Sequence, residues 1–265
     1  MGKGVLVDIP RCIGCGSCTV ACKLWNDRAF DENNPAFAEK PIMCSENWTT
    51  VDIRRVEKDG EEVLRFVKMQ CLHCIEPACL VSCFSKALQR TPEGAVTYNP
   101  RLCAGCRYCM LACAVNIPRY EWQKVLPNVT KCQMCHMRMQ NGDAPACVSV
   151  CPTQAMTFDS RENVMDKARN IIDASGGGYV DYIYGEKELG GTNWVYVSDV
   201  PFEQIGFKTI EHHGLSSNPT SYYLKGFHSW VKRILGGGLV LFAGLYFYTS
   251  RRNKILEEQG KNEKA

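Results

Sequence analysis

Residues 83–106 read CFSKALQRTPEGAVTYNPRLCAGC. Two short runs, Ala87–Gln89 and Ala95–Tyr98, flank the polar turn Thr91–Gly94, which predicts a β-hairpin. The stretch closes one group of four cysteines (Cys71, Cys74, Cys79, Cys83) and opens another (Cys103, Cys106, Cys109, Cys113). Two more groups lie outside it: Cys12, Cys15, Cys18, Cys22 and Cys132, Cys135, Cys147, Cys151. Groups one and three share the spacing C-x2-C-x2-C-x3-C. Groups two and four end in EPACLVSC and APACVSVC. The order one–two, three–four is therefore a tandem duplication.

Seventeen cysteines in 265 residues exceed ordinary usage. Disulfide scaffolds are short secreted chains, and an odd count fits them poorly. A zinc-binding interaction module is the rival reading. Its usual site has two C-x-x-C knuckles separated by a longer loop. Here groups one and three each pack four thiols into eleven residues. That density crowds zinc and suits cubane clusters. In the C-x2-C-x2-C-x3-C run the fourth cysteine ligates the other cluster of a pair. Sixteen cysteines then make four [4Fe–4S] clusters and leave Cys44, expected to be a buried, inert thiol.

The hairpin decides which groups share clusters. A two-cluster ferredoxin runs from its fourth cysteine through such a hairpin into the next group, so residues 71–127 form one ferredoxin-like unit. The exchange rule puts Cys71, Cys74, Cys79 and Cys113 on one cluster, and Cys103, Cys106, Cys109 and Cys83 on another. Groups one and four each carry half a hairpin: GVLVDIPRC enters the first, and CPTQAMTF leaves the last. Joined, they rebuild the same unit from residues 1–30 and 128–160. Its clusters are expected on Cys12, Cys15, Cys18 with Cys151, and on Cys132, Cys135, Cys147 with Cys22.

The fold class expected is α+β: two bacterial-ferredoxin-like dicluster units, one split across the chain. A β-hairpin insertion occupies 31–70, turning at Lys58-Asp59-Gly60. Within and before it, Asn26–Asn47 is a long polar loop. Ser160 is expected to cap a helix through Ala174, with Glu162 early in it, and a strand is predicted at Trp194–Val197. The extension 161–230 has no ligand set and is expected to dock partners. His73 and His136, inside cysteine loops, read as tuning or packing groups. His212, His213 and His228 are not spaced as a metal site, and His228 reads as an interfacial side chain.

The N-terminus has no apolar signal core, so no cleavable signal is expected. Ile234–Ser250 is uncharged, flanked by Lys232 and Arg233 before and Arg251 and Arg252 after. It predicts a single transmembrane helix over 231–252, with a charged tail at 253–265. Trp230, Tyr246 and Tyr248 suit the interface. A net charge of +3 gives no reason to expect nucleic acid. No Gly-rich nucleotide loop or nucleophile motif is present, so a non-catalytic role is expected.

The chain resembles the four-cluster iron–sulfur beta subunits of bacterial membrane oxidoreductases. GCRYCMLACAVNIPRYEW, YGEKELGGTNWVYVSDVPFEQIGF and the anchor ending in SRRN are similar to the ferredoxin-like subunit of type-2 uptake [NiFe]-hydrogenase. HHGLSSNP followed by YYLKGFHSWVK resembles the beta subunit of membrane formate dehydrogenase. The resemblance implies a subunit passing single electrons from a catalytic large subunit to an integral membrane partner. The large subunit would be a [NiFe]-hydrogenase or a molybdo- or tungsto-pterin enzyme. The membrane partner would be a quinone-binding or cytochrome b-type subunit. The beta subunit of another molybdopterin oxidoreductase is the alternative within this class. Two features depart from the family. Only Cys151 is followed by proline, where Cys83 and Cys113 precede Phe84 and Ala114. And the hydrogenase-type relatives often carry an export signal. Lys225, Lys232 and Arg233 precede the span, against Arg251, Arg252, Lys254, Lys261 and Lys264 after it. That bias favours an inner-membrane, single-pass chain with its cluster domain on the periplasmic side, exported with a signal-bearing partner.

Overall fold

Strands alternate with short helices, and each cysteine group sits where one gives way to the other. The computed structural model describes residues 2–208 and 219–262, without the side chains of 219–228 and 255–262. His212 and His213, and the side chain of His228, lie outside the described residues. Strand β1 (Lys3–Asp8) enters group one, and helix α1 (Ser17–Trp25) carries Cys18 and Cys22 out of it. The insertion follows as β2 (Phe37–Ala38), β3 (Thr49–Lys58) and β4 (Glu61–Gln70), which ends beside Cys71. Helix α2 (Ala78–Val81) holds Cys79. Strands β5 (Leu88–Arg90) and β6 (Val96–Tyr98) lead to group three, with Cys109 on α3 (Tyr108–Ala112). A short hairpin, β7 (Arg119–Tyr120) and β8 (Val129–Thr130), leads to group four on α4 (His136–Gln140) and α5 (Ala146–Ser149). Then come β9 (Met156–Ser160), α6 (Arg161–Ala174), β10 (Trp194–Val197) and α7 (Pro219–Asn262). Two compact units result, Met1–Ser221 and Tyr222–Ala265.

Groups two and three, and groups one and four, build the same local frame differently. β5 pairs with β6 antiparallel, Leu88 opposite Tyr98, across the turn expected above. β1 pairs antiparallel with β9, from Lys3 opposite Ser160 to Val7 opposite Met156. The strand entering group one and the strand leaving group four thus lie side by side. β10 adds a third strand parallel to β1, Val5 opposite Trp194. α1 packs on α5 as α2 packs on α3.

This three-stranded sheet is covered on both faces. Val5, Val7, Trp194 and Tyr196 face a core shared with Val67, Leu72, Phe202 and Phe207. Leu6, Val195 and Val197 face Val164, Met165 and Ala168 of α6. Alternation along each strand sends successive side chains to opposite faces, so both must be apolar here. The Ser160 hydroxyl accepts the Asn163 N–H at 3.2 Å, capping α6. Residues 161–207, expected above to dock partners, therefore carry much of the core: all four residues of β10 are 0% exposed.

In the insertion, Lys58 pairs with Glu61, leaving Asp59 (φ +53°) and Gly60 (φ +83°) as the turn. Two successive positive φ values match the handedness of a tight hairpin. Asp199 receives Lys58 Nζ at 2.7 Å and the Arg65 guanidinium, tying this hairpin to the segment after β10. Cys44, expected buried, is half-buried. Its sulfur accepts the Asn47 N–H at 3.3 Å and Asn34 Nδ2 at 3.5 Å, because it fastens a polar loop rather than filling a core. Within α7, Ser229–Lys254 is long and apolar enough to cross a membrane.

Candidate functional site: four cysteine groups

The same backbone shape recurs at all four groups. The second residue after each first cysteine has positive φ: Gly14 (+67°), His73 (+49°), Gly105 (+69°) and Met134 (+54°). Glycine takes this conformation freely; histidine and especially methionine take it at a cost, so the loop geometry outweighs it. The turn directs N–H groups back at sulfur. Gly105 N–H reaches Cys103 Sγ, and Met134 N–H reaches Cys132 Sγ, each at 3.4 Å.

Three of the four fourth cysteines share a second device. Lys86, Asn116 and Gln154 donate N–H to the carbonyls of Cys83, Cys113 and Cys151, at 3.2, 3.0 and 3.2 Å. All three donors have positive φ. Phe84, Ala114 and Pro152 occupy the first corner of these turns, where proline is favoured but not required. Losing proline at two of the three leaves the turn intact.

Long-range packing then sorts the cysteines. One cavity is lined by Cys12, Cys15, Cys18 and Cys151. A second is lined by Cys22, Cys132, Cys135 and Cys147. In the inserted half, the Cys74 thiol is pushed well up by burial and then by Cys71, Cys79 and Cys113. Burial followed by Cys83, Cys103 and Cys106 raises Cys109 to about 11. Neighbouring sets touch electrostatically as well. Cys18 feels Cys147, Cys132 feels Cys71, and Cys79 feels Cys109. The sets therefore form a row, running from the Cys12 set through the Cys132 and Cys71 sets to the Cys103 set.

Burial pushes Cys18, Cys22 and Cys79 up to about 12. Such thiols stay protonated at neutral pH unless a cationic centre draws the proton off, as metal ligation does. At the end of the row Cys15 is exposed, and hydrogen bonds from Ser17 lower its pKa. Among the described residues, no three His, Cys, Asp or Glu side chains close on a single metal-ion position. Each cavity gathers four cysteines, and a [4Fe–4S] cluster held by four thiolates fits this donor set.

Unpartnered donors point the same way. The Trp194 indole is fully buried, lines the cavity of Cys22 and Cys132, and its Nε1 has no hydrogen-bond partner. His73 accepts the Val96 N–H at Nδ1, 2.9 Å, which leaves the proton on Nε2, also buried and unpartnered. Sulfur acceptors of a bound cluster would complement Trp194 Nε1, whose ring lines a cysteine cavity. Sequence reasoning missed Trp194 and the buried Lys68 and Lys131. Their one signal was position: Lys131 directly precedes Cys132, and Lys68 lies on the strand running into Cys71.

A family profile described as "4Fe-4S dicluster domain" matches residues 63–161, taking in groups two to four. A protein from Nitratidesulfovibrio vulgaris is 40% identical over 97% of this chain and 69% of its own length. The hydrogenase-2 operon protein HybA of Shigella flexneri is 31% identical over 98% of this chain and 88% of its own. The iron-sulfur subunit of the nitrate-inducible formate dehydrogenase of Escherichia coli is 33% identical over 92% of this chain and 83% of its own.

Proposed function

From the premise that this chain belongs to the iron–sulfur subunits of hydrogenase- and formate dehydrogenase-type oxidoreductases, we propose that it is a four-cluster electron wire. The observation that carries the reading is the pair of cavities, each lined by three cysteines of one terminal group and one of the other. The proposed ligand sets are Cys12, Cys15, Cys18, Cys151; Cys22, Cys132, Cys135, Cys147; Cys71, Cys74, Cys79, Cys113; and Cys83, Cys103, Cys106, Cys109. When bound, [4Fe–4S] clusters supply one-electron carriers.

The chain's own residues do the rest. Thiolates fix each site, and the positive-φ loops aim backbone N–H groups at sulfur. Val7, Met156 and Trp194 keep the split half dry. Exposed Cys15 and Cys106 mark the two ends of the row. Exposed Ile13, Leu24 and Trp25 lie near one end in sequence, and Leu111, Trp122 and Leu126 near the other. These suit contacts with a donor and an acceptor subunit. The donor is a [NiFe]-hydrogenase or a molybdo- or tungsto-pterin large subunit, and the acceptor is a quinone-reactive membrane subunit. The apolar helix anchors the chain in the inner membrane, with the cluster domain on the periplasmic side.

Anaerobic purification of the native complex tests this. The reading expects four irons and four sulfides for each cysteine set, a broad brown absorption and paramagnetic signals on reduction. A colourless chain carrying zinc would overturn it. Nickel or molybdenum in the large subunit identifies the donor.

A further inference from the structure

Lys68 lines both cavities of the split half. It is 2% exposed, so its ammonium is cut off from water. Nζ donates to Thr49 Oγ1 and Gln70 Oε1, each at 2.7 Å, and stands 4.7 Å from the Trp194 ring centre. Both acceptors are neutral. Neither hydrogen bond supplies it with a negative charge. A buried cation without an anionic partner is strongly disfavoured, so negative charge must face it. The groups the cavities set against it are cysteine sulfurs: Cys147, Cys18, Cys132 and Cys22 are its electrostatic neighbours, and cluster ligation would make them thiolates.

We propose that Lys68 is a redox-poising residue shared by two clusters, its ammonium favouring the reduced state of both. The inference rests on the four-cluster reading above. Reduction adds one electron to a cluster, supplied by the upstream subunit or by dithionite in the test. No bond forms or breaks, and Lys68 neither gains nor loses a proton. The added negative charge is stabilised by a fixed positive charge in a medium that screens poorly. The inserted half is an internal control. The buried cation that reaches it is a different residue, Lys131 of the split half, whose Nζ lies 3.8 Å from Cys71 Sγ and also donates to the Val96 and Cys132 carbonyls.

Potentiometric titration of the native complex, followed by electron paramagnetic resonance, tests the assignment. In Lys68→Met, two of the four reduced-state signals should need at least tenfold more reducing conditions, about 59 mV for a one-electron couple. Lys68→Arg should restore them. Gln70→Glu, nearly isosteric, sets a carboxylate against the ammonium and should shift the same two signals downward even if Lys68→Met fails to assemble. Four clusters in the wild type with unmoved potentials in Gln70→Glu and in any assembled Lys68→Met would overturn the role of Lys68 alone. So would a uniform shift of all four. A wild type without four clusters would overturn the wire reading itself.

Discussion

The inserted and split halves share a cysteine pattern but not a means of support. In the inserted half, β5 and β6 meet across a local turn, and among the described residues no third strand joins them. In the split half, β1 meets β9 only after most of the chain has intervened, and β10 and α6 brace the pair. The environment follows. Gly14, in the group-one loop, lies under Phe66 of the insertion, while the equivalent Gly105 has only the Tyr120 hydroxyl nearby. Duplication copied the ligand loops; the insertion and the extension were spent on one copy. The difference teaches that a motif whose ends are far apart in sequence needs packing that a local hairpin does not, because closing a long loop costs more entropy.

The sharpest way to break this comparison is to remove one crossing cysteine from each half. Cys151→Ser should lose the iron of its set and leave little folded chain, because that ligand helps to close β1 on β9. Cys83→Ser should lose only one cluster's iron. Iron content and circular dichroism of anaerobically purified protein decide it, and equal losses would erase the distinction. A smaller effect separates the two loops. A Cβ at residue 14 would stand 2.4 Å from the Phe66 ring, whereas one at residue 105 meets Tyr120 Oη at 3.4 Å. Gly14→Ala should cost about 2–4 kcal/mol from strain and overpacking, against about 1 kcal/mol for Gly105→Ala. Denaturant titration of the two variants compares them directly.

The smallest effect concerns the brace. Burial acts to raise the Asp199 pKa, but hydrogen bonds from Arg65 and Lys58 outweigh it, and the net shift is downward. A carboxylate with a depressed folded pKa adds stability above its unfolded pKa and loses it as pH falls through the folded value. Asp199→Asn should therefore cost about 1–2 kcal/mol at neutral pH. That gap should close on acidification below about pH 4. A gap that persists in acid would mean that the ion pairs are not its source.

Much of the candidate site was legible because it is written locally. A C-x2-C pair opens each cysteine group and a C-x3-C pair closes it, and the Thr91–Gly94 turn marks the hairpin at once. Ser160 and the run to Ala174 give α6 for the same reason: capping and helical propensity act within a few residues. The recurring positive φ after each first cysteine was half visible. Gly14 and Gly105 hint at it, but His73 and Met134 conceal it, since neither residue type advertises that conformation. The extension's part in the core was not legible, because absence of ligands says nothing about structural work. Trp194 to Val197 prove to be the most buried strand, and nothing in four apolar residues says which strand they will lie beside.

The sequence by itself determined the cysteine groups, their duplication, the hairpins, the capped helix and the apolar C-terminal segment, since each depends on neighbours a few residues away. Only the tertiary structure decided that β10 lies parallel to β1, that Phe66 covers the first loop, and that Lys68 is sealed between two cavities. Those facts depend on which distant surfaces exclude water together. The fate of a lysine's charge is set by what surrounds it, not by the residues beside it in the chain.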